Sequence, residues 1–349
     1  MNELPERRDA EALGDEPEAT LLTDAAAALA ATTGLHTEVV QGATDAGTRT
    51  RVGGWLHITH GTEIREYPLE AKRQLAPAGI GPVVEQLRHL GQHAILVARY
   101  VTPPMAERLC RLRAAFIDTV GNAYLDDPPF YVLVTGRRPK EPLQTPKADR
   151  LFRAAGLKVL FALLCQPQLE KAPMRDVAGI AGVGLGTLKY IYDDLRRRGN
   201  LHDKKDQRRL IGRETLMQRW AEGYARELRP KYLVGRYAAP DLYWWKNVDP
   251  RELDAQWGGD IAAERLTNGY IKPGTATLYT KGPPAQLVTA LGLKKDEAGT
   301  VEILRRFWRF DPDQQEATVP PLLVYVDLLA TADERGLEAA EIIRDQYLG

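Results

Sequence analysis

Cysteine is scarce in this sequence, and the arrangements that would give it a structural role are missing. Cys110 and Cys165 are the only two cysteines, and neither belongs to a CxxC motif or to a His/Cys cluster. This excludes a disulfide framework and a cysteine-based zinc site. Both side chains are therefore expected to be reduced thiols in a cytoplasmic protein.

Long apolar runs and targeting signals are missing as well. No run approaches the roughly 18 consecutive apolar residues of a membrane span. Residues 1–20 are acidic and rich in Ala, Glu and Pro, and they contain no basic segment followed by an apolar core. We therefore expect a disordered acidic tail, no secretory signal and no association with a membrane. The length of 349 residues is sufficient for two or three domains.

An excess of charge of one sign is missing from the chain as a whole, but not from its middle. Lys plus Arg and Asp plus Glu both total 47, so the net charge is zero. Residues 147–236 nevertheless contain 20 basic and 10 acidic side chains, a net charge of +10, between two acidic ends. Such a positive segment is typical of a DNA-binding module flanked by domains with other partners.

The positive segment 147–236 has the element order of a winged helix-turn-helix. Its predicted elements, in chain order, are a helix over 156–165, a short helix over 175–181, a glycine-rich turn over 182–186, a third helix over 187–198 and a charged hairpin over 201–211. Leu188, Ile191 and Leu195 recur at spacings of three and four, which directs one face of the third helix to the core. This helix is the candidate recognition helix, and the hairpin is the candidate wing.

DNA contacts are expected on both of these elements. The residues concerned are Thr187, Lys189, Tyr190, Arg196 and Arg197 on the helix and Lys204, Lys205, Arg208 and Arg209 on the wing. The residues at the start of the helix are expected to set sequence preference, and the wing is expected to supply salt-dependent phosphate contacts. The alternative for these cations is a solvated surface without a ligand.

Residues 21–146 alternate predicted strands and helices, which favours an α/β layer fold. Glu70 and Lys72 are two apart on a predicted strand, so both point to one face, where a carboxylate could hold a divalent metal and a lysine could stabilise charge at a phosphate. With Gln86 on the next helix, this order resembles the restriction-endonuclease-like superfamily. The resemblance implies a Mg²⁺-dependent nuclease in which Glu70, Lys72 and Gln86 are the catalytic residues.

One ligand of that superfamily has no counterpart in this sequence. The superfamily places a second metal-binding Asp on the preceding strand, and the matching positions here are Gly53, Gly54 and Trp55. We therefore expect a catalytically inactive domain without a metal, which binds DNA or a protein partner. Mg²⁺-dependent cleavage is the alternative.

Residues 237–349 are predicted to form an α+β domain with aromatic and glycine-rich stretches. Over roughly residues 150–349, the helix-turn-helix, the Trp257-Gly258-Gly259 motif and the motifs at 325–329 and 337–340 resemble the AbiEi-like antitoxins of type IV toxin-antitoxin systems. The resemblance implies a winged helix that represses its own operon and a C-terminal domain that counteracts a nucleotidyltransferase-like toxin. It also implies that Asp327 and Glu338 are structural.

The sequence thus predicts a sequence-specific DNA-binding transcriptional regulator of antitoxin type rather than an enzyme, without a cofactor. Its expected partners are double-stranded DNA and a cognate toxin. A homodimer would fit this function because winged-helix regulators commonly read two half-sites. The alternative is the magnesium-dependent nuclease.

Overall fold

The computed structural model describes residues 18–41, 53–72, 75, 79–91, 93–139, 150–204, 207–241, 243–310, 317–331 and 334–348. Most of the acidic tail predicted over residues 1–20 lies outside these ranges. The contacts divide the chain into unit 1, formed by Met1–Leu75 and Leu90–Ala148, and unit 2, formed by Ala76–His89 and Asp149–Gly349. None of the helices in the described ranges has the length and apolar character needed to span a membrane.

Unit 1 contains a seven-stranded mixed sheet whose strands lie side by side in chain order. The strands are β1 (His36–Gln41), β2 (Gly54–His60), β3 (Glu63–Lys72), β4 (Ile95–Ala98), β5 (Phe116–Asp118), β6 (Ala123–Asp127) and β7 (Phe130–Val134). Strands β3, β4 and β5 are parallel, and the other neighbours are antiparallel. The mixed α/β architecture predicted for this part of the chain is confirmed at that level.

The core of unit 1 forms between its first helix and one face of this sheet. Helix α1 (Glu18–Thr33) buries Leu22 and Leu29, and alternate residues of β2, Leu56 and Ile58, belong to the same buried cluster. This alternation follows from the two-residue period of a strand, which sends every second side chain to the same face.

Unit 2 contains α2 (Ile80–Leu90) and the helices and hairpin of the positive segment. Helix α2 belongs to unit 2 up to His89, whereas α3 (Pro103–Arg111) belongs to unit 1. The positive segment forms α4 (Ala154–Cys165), α5 (Met174–Ala181), α6 (Leu185–Arg197), the hairpin of β8 (Leu201–Lys204) and β9 (Gln207–Leu210), and α7 (Arg213–Gly223). A π-helical turn, Tyr224–Leu228, leads from α7 into α8 (Arg229–Tyr232). Trp220 on α7 is buried and stacks on Phe161 of α4 with ring centroids 5.0 Å apart, which joins the two helices.

A five-stranded sheet with flanking helices completes unit 2. The remaining elements are β10 (Leu233–Ala238), β11 (Ala255–Gly258), α9 (Gly259–Leu266), β12 (Ala276–Thr280), α10 (Pro284–Ala290), β13 (Lys294–Lys295), β14 (Val301–Arg305), α11 (Pro321–Thr331) and α12 (Glu334–Tyr347). The strand order is β11-β12-β14-β10-β13, with only the β12–β14 pair parallel. The combination of helices and a sheet expected for this region is confirmed.

Helix α2 packs with unit 2, although its sequence lies between two strands of unit 1. Its Glu85 is 1% exposed and accepts a hydrogen bond of 2.7 Å from Arg344 of α12 and a second one from the Tyr325 hydroxyl of α11. A Cβ atom at Gly81 would lie 1.7 Å from the Leu329 carbonyl oxygen, so only glycine fits at this helix crossing. The sequence predicted this helix, but its location with residues 149–349 was not expected.

Candidate nucleic-acid interface

The candidate recognition helix, α6, is set apart from α5 by a glycine in the left-handed conformation. Gly182 caps α5 with φ 65° and ψ 40°, a backbone region that favours glycine. Helix α6 then begins at Leu185, two residues before the predicted start, and buries Leu188, Ile191 and Leu195 as the spacing predicted. One face of the helix is thereby fixed, and the opposite face is exposed.

Three of the predicted DNA-binding residues lie on this exposed face. Thr187, Lys189 and Tyr190 are exposed, and 78% of the surface of Tyr190 is accessible. Among the described residues, none of the three has a hydrogen bond or an ion pair with another side chain. Because all three side chains are exposed, they are available to a ligand. The exposed ring of Tyr190 is the most unusual of them, since large aromatic side chains are mostly buried.

The arginines at the end of α6 have partners within the protein. Arg196 donates 2.6 Å to Asp193 on the same helix and also pairs with Asp203 of β8, so it joins the helix to the hairpin. Arg197 pairs with Asp194 at 3.0 Å but remains 75% exposed. Arg196 therefore has a structural contact that the sequence did not reveal, whereas the charge of Arg197 is largely at the surface.

The hairpin residues also differ in their surroundings. Arg208 donates a hydrogen bond to the carbonyl oxygen of Ala172 and lies 5.5 Å from the centroid of the buried Tyr192 ring, so it holds the hairpin against the helices. Arg209 is exposed and has no ion pair among the described residues. Lys204 belongs to β8, but its side chain lies outside the described residues, as does all of Lys205.

Two further cations were not singled out from the sequence. Lys171 and Arg175, just before and at the start of α5, are exposed and have no ion pair within the described ranges. The excess of basic residues over 147–236 was the only sequence signal for them. Lys171 is adjacent in sequence to Ala172, whose carbonyl oxygen accepts the hydrogen bond from Arg208.

The nuclease-like residues are only partly brought together. Lys72 Nζ lies 3.1 Å from Glu70 Oε1 on β3, and both side chains are mostly buried. Gln86 belongs to unit 2, where its side-chain amide donates 3.2 Å to Gln218. A Cβ atom at Gly53 would lie 2.5 Å from Glu18 Oε1, so the carboxylate of Glu18 on α1 lies beside the position where the superfamily has its Asp.

These residues do not complete a three-ligand metal site within the described ranges. Mg²⁺ prefers octahedral oxygen coordination that includes one or two carboxylates. Nowhere in the described ranges do three His, Cys, Asp or Glu side chains form a group that could hold a metal ion. The ammonium group of Lys72 also occupies one side of the Glu70 carboxylate.

A second polar cluster, centred on Asp327 of α11, lies within unit 2. The carboxylate is 2% exposed and accepts hydrogen bonds of 2.8 Å from the Tyr279 hydroxyl and 3.3 Å from the Gly259 amide. Arg229 Nε lies 3.7 Å away. Burial raises the pKa of Asp327 to about 6, against the opposing effects of Arg229 and Tyr279.

The Asp327 cluster also includes the π-helical turn that follows α7. The hydroxyl of Tyr224, the first residue of this turn, lies 2.6 Å from the hydroxyl of Tyr279. Arg229 forms an ion pair with Glu302 of β14, which also pairs with Arg236 at 2.6 Å. These contacts join the helical part of unit 2 to its sheet through buried polar groups.

Residues 209–349 match the family model described as "Transcriptional regulator, AbiEi antitoxin, Type IV TA system". The match covers the end of β9, α7 and the whole C-terminal sheet region, but not α6. It thus supports the predicted antitoxin resemblance for the C-terminal part of the chain, whereas the nuclease-like resemblance of unit 1 has no such support. No curated protein and no solved structure matches the chain.

Proposed function

We propose that this protein is a DNA-binding transcriptional regulator of antitoxin type. In this proposal, α4, α5, α6 and the β8–β9 hairpin form a winged helix-turn-helix that binds the chain's own promoter and represses it. The C-terminal sheet region binds the cognate toxin. Unit 1 has no catalytic role and serves as an additional binding domain.

The observation that carries the proposal is the exposed face of α6. Thr187, Lys189 and Tyr190 present a hydroxyl, an ammonium group and an aromatic ring on three of four consecutive positions, without partners in the described part of the chain. Side chains of this kind at the start of a helix can contact base edges in the major groove. The family match of residues 209–349 to transcriptional regulators supports the same function independently of α6.

The proposal distinguishes between the cations according to their contacts within the protein. Arg196 and Arg208 are bound within the protein, so their removal should affect the attachment of the hairpin more than the charge presented to a ligand. Lys189 and Arg209 are exposed and unpaired among the described residues, so they should contact DNA directly. Phosphate contacts contribute to affinity for any sequence, whereas base contacts discriminate between sequences.

The experiment compares binding to two duplexes of equal length, one from the region immediately upstream of the reading frame and one unrelated. Combined Lys189→Ala and Tyr190→Ala substitution should reduce the preference for the upstream duplex by about 5- to 150-fold, as expected for about 1–3 kcal/mol of base discrimination. Arg209→Ala should weaken binding to both duplexes equally. Lys295→Ala, which removes an exposed charge on β13, is the matched control and should change neither. Unchanged preference in the double variant would refute the role of α6.

A further inference from the structure

A short aromatic segment after the last strand of the C-terminal sheet packs against the helices of the positive segment. Phe307, Trp308 and Phe310 are buried, and their ring centroids lie 5.0, 5.6 and 5.6 Å from that of Phe161 on α4. Arg306 donates 2.6 Å to the Phe310 carbonyl oxygen and so closes the segment on itself. Three anchored rings and this hydrogen bond fix the backbone of residues 306–310.

The residue between the anchored rings, Arg309, is exposed and lies over the turn that precedes α6. A Cβ atom at Gly182 would be 3.2 Å from Arg309 Nε and 3.6 Å from its Cζ. Gly182 therefore serves two purposes, since it adopts a positive φ and leaves space for the guanidinium group. The side chain of Arg309 thus lies next to the turn that precedes the candidate recognition helix.

Arg309 has no charge partner among the described residues. In the described ranges it has neither an ion pair nor a hydrogen bond, whereas Arg196, Arg197 and Arg213 are all paired with carboxylates. An exposed guanidinium group on an anchored backbone, without an ion pair in the described ranges, is suited to a phosphate, which it can bind through two parallel hydrogen bonds. The neighbouring Gly184 and Gly186 leave the approach to the turn open.

We propose that Arg309 adds a DNA phosphate contact at the turn between α5 and α6, so that the C-terminal region contributes directly to the DNA interface. This inference rests on the proposed DNA-binding function. It assigns to the antitoxin-like region, residues 209–349, a contact that lies outside the helices and hairpin of the predicted winged helix. Sequence could not reveal it, because Arg309 and Gly182 are far apart in the chain.

The test measures the salt dependence of binding of the full chain to the upstream and unrelated duplexes. Arg309→Gln should weaken binding to both duplexes by the same factor and reduce the slope of log K against log salt by about 0.9, the value for one lost phosphate contact. Arg309→Lys should restore most of the slope because it keeps the charge. Arg305→Gln removes another exposed arginine at the end of β14 and is the matched control.

The outcomes separate this inference from the proposed function. Wild-type binding with an unchanged slope in Arg309→Gln, or with an equal decrease in Arg305→Gln, would overturn the local contact and leave the proposed function intact. Absence of binding of the wild type to either duplex would overturn both. Because Arg309 is exposed, thermal unfolding of its variants should match the wild type, and this comparison verifies that a change in slope does not come from misfolding.

Discussion

Neutralising Asp327 should remove a pH dependence from the stability of unit 2. In the wild type, a carboxylate with almost no solvent exposure has to ionise in the folded protein at a pKa of about 6, compared with an ordinary value of 3.8. The unfolded chain therefore releases this proton at lower pH than the folded chain. Asp327→Asn keeps the shape of the side chain and its ability to accept from Tyr279 or Gly259, but it cannot ionise.

The sign of the effect follows from the raised pKa. Below pH 3.8 the group is protonated in both states and its full contribution to stability is present, and that contribution is lost as the pH rises toward 6. The shift corresponds to about 3 kcal/mol in total, of which about 2 kcal/mol falls between pH 4 and pH 7. Relative to Asp327→Asn, the wild type should lose this amount over that interval.

The assay is urea unfolding at a series of pH values, followed by tryptophan fluorescence. All tryptophans except Trp55 belong to unit 2, so the signal reports mainly on the relevant unit. The loss of the Arg229 interaction in Asp327→Asn adds a constant to the difference in the free energy of unfolding between the two proteins. The test is therefore the change of this difference with pH. A constant difference from pH 4 to pH 7 would refute the reasoning. Tyr279→Phe removes a donor to the carboxylate and should move the transition to higher pH.

Two further predictions concern the helix crossing and the nuclease-like residues. Gly81→Ala should lower the free energy of unfolding by about 1–3 kcal/mol, because the added methyl group overlaps the Leu329 carbonyl. Gly79→Ala is the control and should not lower it, because its methyl group meets open space. Equal stability of the two variants in urea unfolding would contradict the packing. The wild type and Glu70→Gln should both leave plasmid DNA intact with Mg²⁺ or Mn²⁺, as assayed on a gel; cleavage by the wild type that Glu70→Gln abolishes would instead establish the nuclease alternative.

The elements of the positive segment were largely predictable because their apolar periods are regular. The predicted third helix differs from α6 by two residues at its start and one at its end. Strand β1 was missed, since His36–Gln41 contains only two apolar residues and its pairing with β2 depends on tertiary register. Strand β14 ends at Arg305, although apolar residues continue to Phe310, because the following aromatic rings turn toward Phe161.

The candidate interface was less predictable than the elements that form it. Sequence supplied the basic residues but not their partners, and these partners decide which charges face outward. Arg208 binds Ala172, 36 positions earlier in the chain, and Arg196 binds Asp203 across the start of the hairpin. A local pattern contains no information about such contacts, so paired and unpaired arginines look alike in the sequence.

The placement of α2 imposes an order on biosynthesis. Glu85 and its partner Arg344 are 259 positions apart, so the ribosome releases α2 long before α12 exists to receive it. Until then, the apolar side chains of the nascent helix lack their native contacts in unit 2, which exposes them to aggregation. These side chains are Ile80, Val83, Val84 and Leu87. A gene fragment that begins after residue 149 would encode the C-terminal region without α2. Tyr325 and Leu329 would then lose their contacts with Glu85 and Gly81.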